Sequence, residues 1–183
     1  MAKSQWIEVE RRTKETDIHL RLRLDGNGKT DLKVEPFFLR HMLDSFAVHG
    51  GFDLEVKAVG EDEHHLIEDV AIGLGQAIRK AVPDLRIERI ASALVPMDEA
   101  LVLVAIDLVD RPYAQITLPM PMYAHFLRSM ALDGKFTLHV RPIAGEDPHH
   151  TVEAAFKALG RALRIAAAPR SAIATTKGEV EWK

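Results

Sequence analysis

The sequence predicts an α/β (α+β) chain built from two copies of a β-β-α-β-α half-domain, forming two sheets with helices packed between them. Three observations predict it: an internal repeat, alternation of period two followed by helical apolar spacing within each copy, and a length of 183 residues that fits one domain or two tightly joined halves. Gly60-Glu61-Asp62-Glu63-His64-His65 returns as Gly145-Glu146-Asp147-Pro148-His149-His150, and a glutamate follows three positions on in both places, Glu68 and Glu153. Aligning 60–81 with 145–166 gives 11 identities in 22 positions, so duplication is the economical explanation. An offset one residue shorter sets His41 on His125, Ser45 on Ser129, Gly50 on Gly134 and Phe52 on Phe136, and it reaches back to Glu15 over Glu99. The expected halves are 1–92 and 93–183, the second carrying a C-terminal tail.

The elements follow in order within each copy. Ile18, Leu20, Leu22 and Leu24 alternate as a strand, and Asp25-Gly26-Asn27-Gly28 is expected to turn the chain into a hairpin. Phe38 to Val48 has helical apolar spacing, Phe52, Leu54 and Val56 alternate again, and the His64-His65 segment opens a longer amphipathic helix. The second copy repeats the series with Leu101, Leu103 and Ala105, a turn at Arg111-Pro112, a helix from Met122 to Leu132, alternation at Phe136, Leu138 and Val140, and the His149-His150 helix.

Composition narrows the chemistry. A formal net charge of −3 with 28% charged residues does not indicate a polybasic nucleic-acid binder, so no nucleic-acid partner is expected. The first residues lack an apolar signal core, and no run approaches the roughly 18 apolar residues of a membrane span, so a cytoplasmic protein without a membrane partner is expected. With no cysteine, thiolate nucleophiles and sulfur-ligated metals are excluded, leaving His, Asp and Glu as the strong ligands.

Six of the nine histidines, His41, His64, His65, His125, His149 and His150, occupy positions that the duplication pairs off. Residues i and i+4 share a helix face, so His64 with Glu68, and His149 with Glu153, can converge on one ion. Adjacent side chains diverge by about 100° on a helix of 3.6 residues per turn, so the two imidazoles of each HH pair serve two different ions. Nitrogen and carboxylate donors without thiolates suit Mn, Fe, Co, Ni or Zn better than calcium. The bland alternative is that the HH pairs cap their helices, and the doubling of all six positions weighs against it. His19 and His139 lie on alternating strands outside the duplicated set and read as solvent-facing, whereas His49, beside Gly50-Gly51, is placed to touch a ligand. A basic set, Arg89, Arg111, Lys157 and Thr175-Thr176-Lys177-Gly178, suits a phosphate, and Lys157 projects one turn beyond Glu153 on nearly the same face.

These residues carry a resemblance. Arg11-Arg12-Thr13-Lys14-Glu15-Thr16, His41-Met42-Leu43-Asp44, His64 to Asp69, Pro96-Met97-Asp98-Glu99-Ala100-Leu101, Asp107 through Tyr113, His149 to Ala158 and Thr176-Lys177-Gly178 stand in the order of the imidazoleglycerol-phosphate dehydratase family, which the sequence resembles from Arg11 to Gly178. The resemblance implies a carbon–oxygen hydro-lyase of histidine biosynthesis that removes water from imidazole glycerol phosphate to give imidazole acetol phosphate. It implies two Mn²⁺ per active site, one held by His41, His65, His149 and Glu153 and the other by His64, Glu68, His125 and His150. By the same likeness Glu15 is the general acid/base, and Arg89, Arg111, Lys157, Thr175 and Lys177 hold the phosphate of a small-molecule substrate. Subunits of such enzymes form trimers and then a 24-subunit homo-oligomer, with sites where subunits meet. Arg40 before His41, Thr175 in place of serine and short loops before His64 and His125 depart from the family pattern. The alternative is a noncatalytic metal-binding homo-oligomer of the same fold; a dinuclear hydrolase of phosphate esters ranks below both.

Overall fold

The computed structural model describes residues 5–82 and 86–171. Each half contains the expected β-β-α-β-α series, preceded by one additional strand. The first half runs β1 (Ile7–Arg12), β2 (Thr16–Arg23), β3 (Thr30–Lys33), α1 (Phe37–Gly50), β4 (Asp53–Gly60) and α2 (Glu63–Ala81). The second runs β5 (Ile90–Met97), β6 (Ala100–Asp107), β7 (Tyr113–Ile116), α3 (Pro121–Asp133), β8 (Thr137–Ala144) and α4 (Pro148–Ala166). The two four-stranded sheets have orders β1-β2-β4-β3 and β5-β6-β8-β7.

The hairpin expected at Asp25-Gly26-Asn27-Gly28 does not form. β4 lies between β2 and β3, and β3 runs parallel to β4. The turn is drawn onto the start of β4 instead, where the buried Asp53 carboxylate accepts from the backbone N–H of Asn27 at 2.7 Å and of Lys29 at 3.0 Å, and from Arg23. Arg111-Pro112 likewise leads into β7, which pairs parallel with β8 and not with β6. The two extra strands are edges. β1 buries only Val9 fully, and β5 carries Pro96, whose missing N–H is tolerated at an edge.

The helices fill the space between the sheets. α1 and α2 lie on the first sheet and α3 and α4 on the second, while α1 packs against α4 and α2 against α3. Those crossed pairs approach closely because Gly75 and Gly160, equivalent in the repeat, lack a side chain. A Cβ at Gly75 would stand 2.3 Å from the Met130 carbonyl oxygen, and one at Gly160 2.3 Å from that of Phe46. Phe46, Phe52, Phe126, Phe136 and Phe156 are fully buried between the layers, each contributing about 1.5–3 kcal/mol by leaving water.

The outer sheet faces differ. On the first, Glu8, Arg21 and Glu55 follow one another in register, as do Glu10, His19 and Lys57. On the second, Leu94 pairs Leu103, Pro96 pairs Leu101, and Ile143 and Tyr113 stay exposed. Among the described residues no helix is long and apolar enough to cross a membrane.

Candidate metal centre

All four helices begin at the same end of the molecule. His64 of α2 stacks near His125 of α3, with ring centroids 5.2 Å apart, while Gly75 and Met130 meet further along both helices, so α2 and α3 run parallel. His41 and His149, then Phe46 and Gly160, give the same result for α1 and α4. The Arg89 N–H donates to the carbonyl of Ala166 at the end of α4, and the Arg89 carbonyl accepts from Leu108, beside which α2 also ends. The duplicated histidines therefore collect around four helix N-termini. Asp62 and Asp147 cap α2 and α4, accepting from the backbone N–H of His65 at 2.9 Å and of His149 at 2.7 Å.

Two triads form there, and each draws on both halves of the chain. Nε2 of His41 lies 3.0 Å, and Nε2 of His149 3.3 Å, from Oε2 of Glu153. In the equivalent place Nε2 of His125 lies 3.0 Å from Oε1 of Glu68, and the donor atoms of His64, Glu68 and His125 all lie within 4.8 Å of one another, as do those of the first triad. Metal–ligand bonds of about 2.1 Å put neighbouring donors about 3.0–3.4 Å apart, which the His41–Glu153, His149–Glu153 and His125–Glu68 separations match, so each triad can hold one ion with positions left open. His149 and His64 are exposed, so both clusters open to the surface.

The second histidine of each HH pair faces elsewhere, as the helix geometry requires. The ring of His65 is 88° from that of His64, and that of His150 is 85° from that of His149. Nδ1 of His65 lies 2.8 Å from Oε2 of Glu15, at the tip of the β1–β2 hairpin; Nδ1 of His150 lies 2.8 Å from Oε2 of Glu99, at the tip of the β5–β6 hairpin. Neither His65 nor His150 joins a triad within the chain. Glu99 has no role in the sequence reading above, although its alignment with Glu15 carries the signal for one. Its carboxyl is pulled down to about 2 by the Asp147 N–H first and then by His150, and the bond to Glu99 in turn raises the His150 imidazole.

The basic residues are divided. Lys157 donates to Oε1 of the buried Glu153 at 2.9 Å, so its charge is already paired. Burial alone would raise the Glu153 carboxyl, but the bonds from Lys157 and His41 outweigh it and hold it below its ordinary value. His49 is exposed at the end of α1, its imidazole lowered by partial burial and by the charges of Lys157 and Arg161. Arg89 pairs with Asp107 at 2.9 Å, and the Arg111 carbonyl accepts from Thr137 at 3.1 Å. Arg89 stands at the other end of the helix layer, its backbone about 20 Å from Glu153 along α4 at 1.5 Å per residue. Thr175 and Lys177 lie outside the described residues. A third His/Glu group, Glu8, Glu10 and His19 on the outer sheet face, sits in register with Lys57, which disfavours a cation.

The imidazoleglycerol-phosphate dehydratase family model matches residues 35–163. The chain belongs to the imidazoleglycerol-phosphate dehydratase family. It is 46% identical to the imidazoleglycerol-phosphate dehydratase of Desulforamulus reducens, covering 93% of this chain and 96% of that protein, and 47% identical to that of Acetivibrio thermocellus, covering 86% and 88%. Its fold is similar to the crystal structure of the Pyrococcus furiosus enzyme, with a TM-score of 0.84, 37% identity and coverage of 94% of this chain and 100% of that one. Against the Staphylococcus aureus enzyme the TM-score is 0.81 at 30% identity, with 90% and 99% covered. Family membership makes the chain a carbon–oxygen hydro-lyase of histidine biosynthesis that converts imidazole glycerol phosphate, a small phosphate ester, to imidazole acetol phosphate.

Proposed function

We propose that dehydration takes place at a two-metal site assembled between protomers, with Mn²⁺ as the ion. The observation that carries this reading is the pair of duplicated three-donor triads. His41, His149 and Glu153 would gain His65 as a fourth donor, and His64, Glu68 and His125 would gain His150, each from a neighbouring protomer. His65 and His150 lie outside the triads of their own chain, and the Arg89 backbone stands about 20 Å from Glu153 along α4. Both separations favour shared sites, in trimers that build a 24-subunit shell in the cytoplasm. The two half-domains, 1–92 and 93–183, each contribute to both triads.

The substrate proton to be removed lies on a carbon beside an imidazole ring, with no carbonyl to accept the electrons. Bound ions supply Lewis acidity that makes the ring an electron sink. Glu15 is the general base: its carboxylate takes the proton from carbon, the hydroxyl leaves from the neighbouring carbon, and together they account for the water lost. The 2.8 Å between Oε2 of Glu15 and Nδ1 of His65, a proposed ligand, supports this role. Arg89, Arg111, Lys157, Thr175 and Lys177 would bind the phosphate, guanidinium forks matching its oxygens, with His49 at the margin.

The test is direct. Mn²⁺-loaded protein given imidazole glycerol phosphate should release imidazole acetol phosphate, and metal-stripped protein should not until Mn²⁺ is restored. Turnover that is unaffected by stripping would overturn the metal reading, and a monomer in solution that turns over would overturn the shared sites.

A further inference from the structure

We infer that Glu99 is a positioning residue that holds His150 in the tautomer able to bind a metal ion, an assignment that rests on the proposed role of His150 as a donor. Met97 pairs with Ala100, so Asp98 and Glu99 form the tip of the β5–β6 hairpin, with Asp98 in the left-handed region at φ 47°. This tip lies over the start of α4. The two carboxylate oxygens of Glu99 hold different partners. Oε1 accepts from the backbone N–H of Glu146 at 3.2 Å and of Asp147 at 2.8 Å, and Oε2 lies 2.8 Å from Nδ1 of His150.

An ionised carboxylate can only accept, so Nδ1 of His150 carries the proton and the neutral ring keeps its lone pair on Nε2. That is the nitrogen left to face an ion, with Oδ2 of Asp98 3.5 Å from it. A carboxylate behind a ligating imidazole fixes the ring's orientation and raises its basicity. Glu99 cannot swing away without also releasing two backbone N–H groups, so the ring is held by a braced partner.

The repeat supplies an internal contrast. Glu15 occupies the equivalent hairpin tip, with Oε2 2.8 Å from Nδ1 of His65. Among the described residues no backbone N–H donates to its carboxylate; the N–H of Glu61 goes to the Glu15 main-chain oxygen instead. Duplication therefore placed a carboxylate behind each second histidine. One copy is left free to move, as proton transfer demands, and the other is clamped.

Glu99→Gln separates the possibilities. Glutamine keeps an oxygen for the two backbone N–H groups but presents an amide N–H to Nδ1, forcing the proton onto Nε2. Titrating metal-stripped full-length protein with Mn²⁺ should show binding at one site weakened on the order of 10–100-fold, while the thermal midpoint of the metal-free chain stays near that of the unaltered protein. Unchanged Mn²⁺ affinity in Glu99→Gln, with binding lost in His150→Ala, would overturn the positioning role. Unchanged affinity in His150→Ala would overturn the donor assignment itself. Independently of any variant, ¹⁵N shifts of His150 in metal-free protein, at a pH where the ring is neutral, should report a proton on Nδ1; a proton on Nε2 would overturn the inference.

Discussion

Glu15 and Glu99 stand at the same point of two repeats, each with a carboxylate oxygen 2.8 Å from Nδ1 of the second histidine of an HH pair. Their surroundings differ: the Glu99 carboxylate is tied to the backbone ahead of α4, whereas the loop of Glu15 is held through its backbone, by Thr13, whose Oγ1 accepts from the N–H groups of Glu15 and Thr16, and by the N–H of Glu61. This leaves the Glu15 carboxylate without a backbone donor among the described residues. The outer sheet faces diverge in the same way, from ion pairs such as Arg21 with Glu55 at 2.8 Å to the apolar pairing of Leu94 and Leu103. Equivalent backbone positions thus serve different ends once duplication relieves one copy of its original duty. The helix contacts and the triads, which need both copies, have stayed alike.

The sharpest break in this comparison is catalytic. Glu15→Gln should lower kcat by roughly 10²–10⁴-fold while Mn²⁺ content stays near that of the unaltered protein. The loss in Glu99→Gln should instead follow metal occupancy and recover at saturating Mn²⁺. Steady-state kinetics across a Mn²⁺ series distinguishes them, and parallel behaviour of the two variants would erase the proposed division.

Next come the triads. Glu68→Gln and Glu153→Gln should each lower bound Mn²⁺, read by elemental analysis after gel filtration. Only Glu153→Gln should also destabilise the metal-free chain, by about 1–3 kcal/mol in denaturant unfolding, because it leaves Lys157 without its charged partner. Equal metal-free stabilities would show that the Lys157 contact contributes nothing.

The helix contacts should prove symmetric. Gly75→Ala and Gly160→Ala each push a methyl against a backbone carbonyl, and each should cost about 1–3 kcal/mol. A large inequality between them would mean that one helix pair yields more readily than the other.

The smallest effect belongs to the first half alone. Burial raises the Asp53 carboxyl, but the N–H groups of Asn27 and Lys29 and the Arg23 guanidinium outweigh it and hold it below its ordinary value. Its stabilisation is complete above the unfolded value near pH 4 and disappears as pH falls through the lower folded one. Asp53→Asn should cost on the order of 1 kcal/mol at pH 7 and flatten that part of the acid-unfolding curve.

Much of this was readable from residue order. The spacing of His64 to Glu68 and of His149 to Glu153 fixed the shared helix face, and the divergence of adjacent histidines followed from helical pitch. β1 was not readable because Ile7–Arg12 is an edge strand with a single fully buried residue. β5 was hidden by Pro96 and by an apolar outer face that blurs alternation. Asp25-Gly26-Asn27-Gly28 misled because local turn chemistry says nothing of Asp53, 25 or more residues later, which captures the turn. The same gap conceals the remoteness of Arg89 from Glu153, which only the parallel run of the helices makes apparent, whereas the proximity of Lys157 to Glu153 was legible from their spacing of four on one helix.

One consequence follows from the crossing of α1 onto α4 and of α2 onto α3. A chain severed between α2 and β5 would leave each fragment with an HxxxE face and a lone upstream histidine, and neither with three converging donors. The covalent link keeps the complementary donor at high local concentration and in a fixed one-to-one ratio. Two free-standing single repeats would have to embrace each other, swapping their first helices' histidines, to rebuild what the fused gene product carries in one piece.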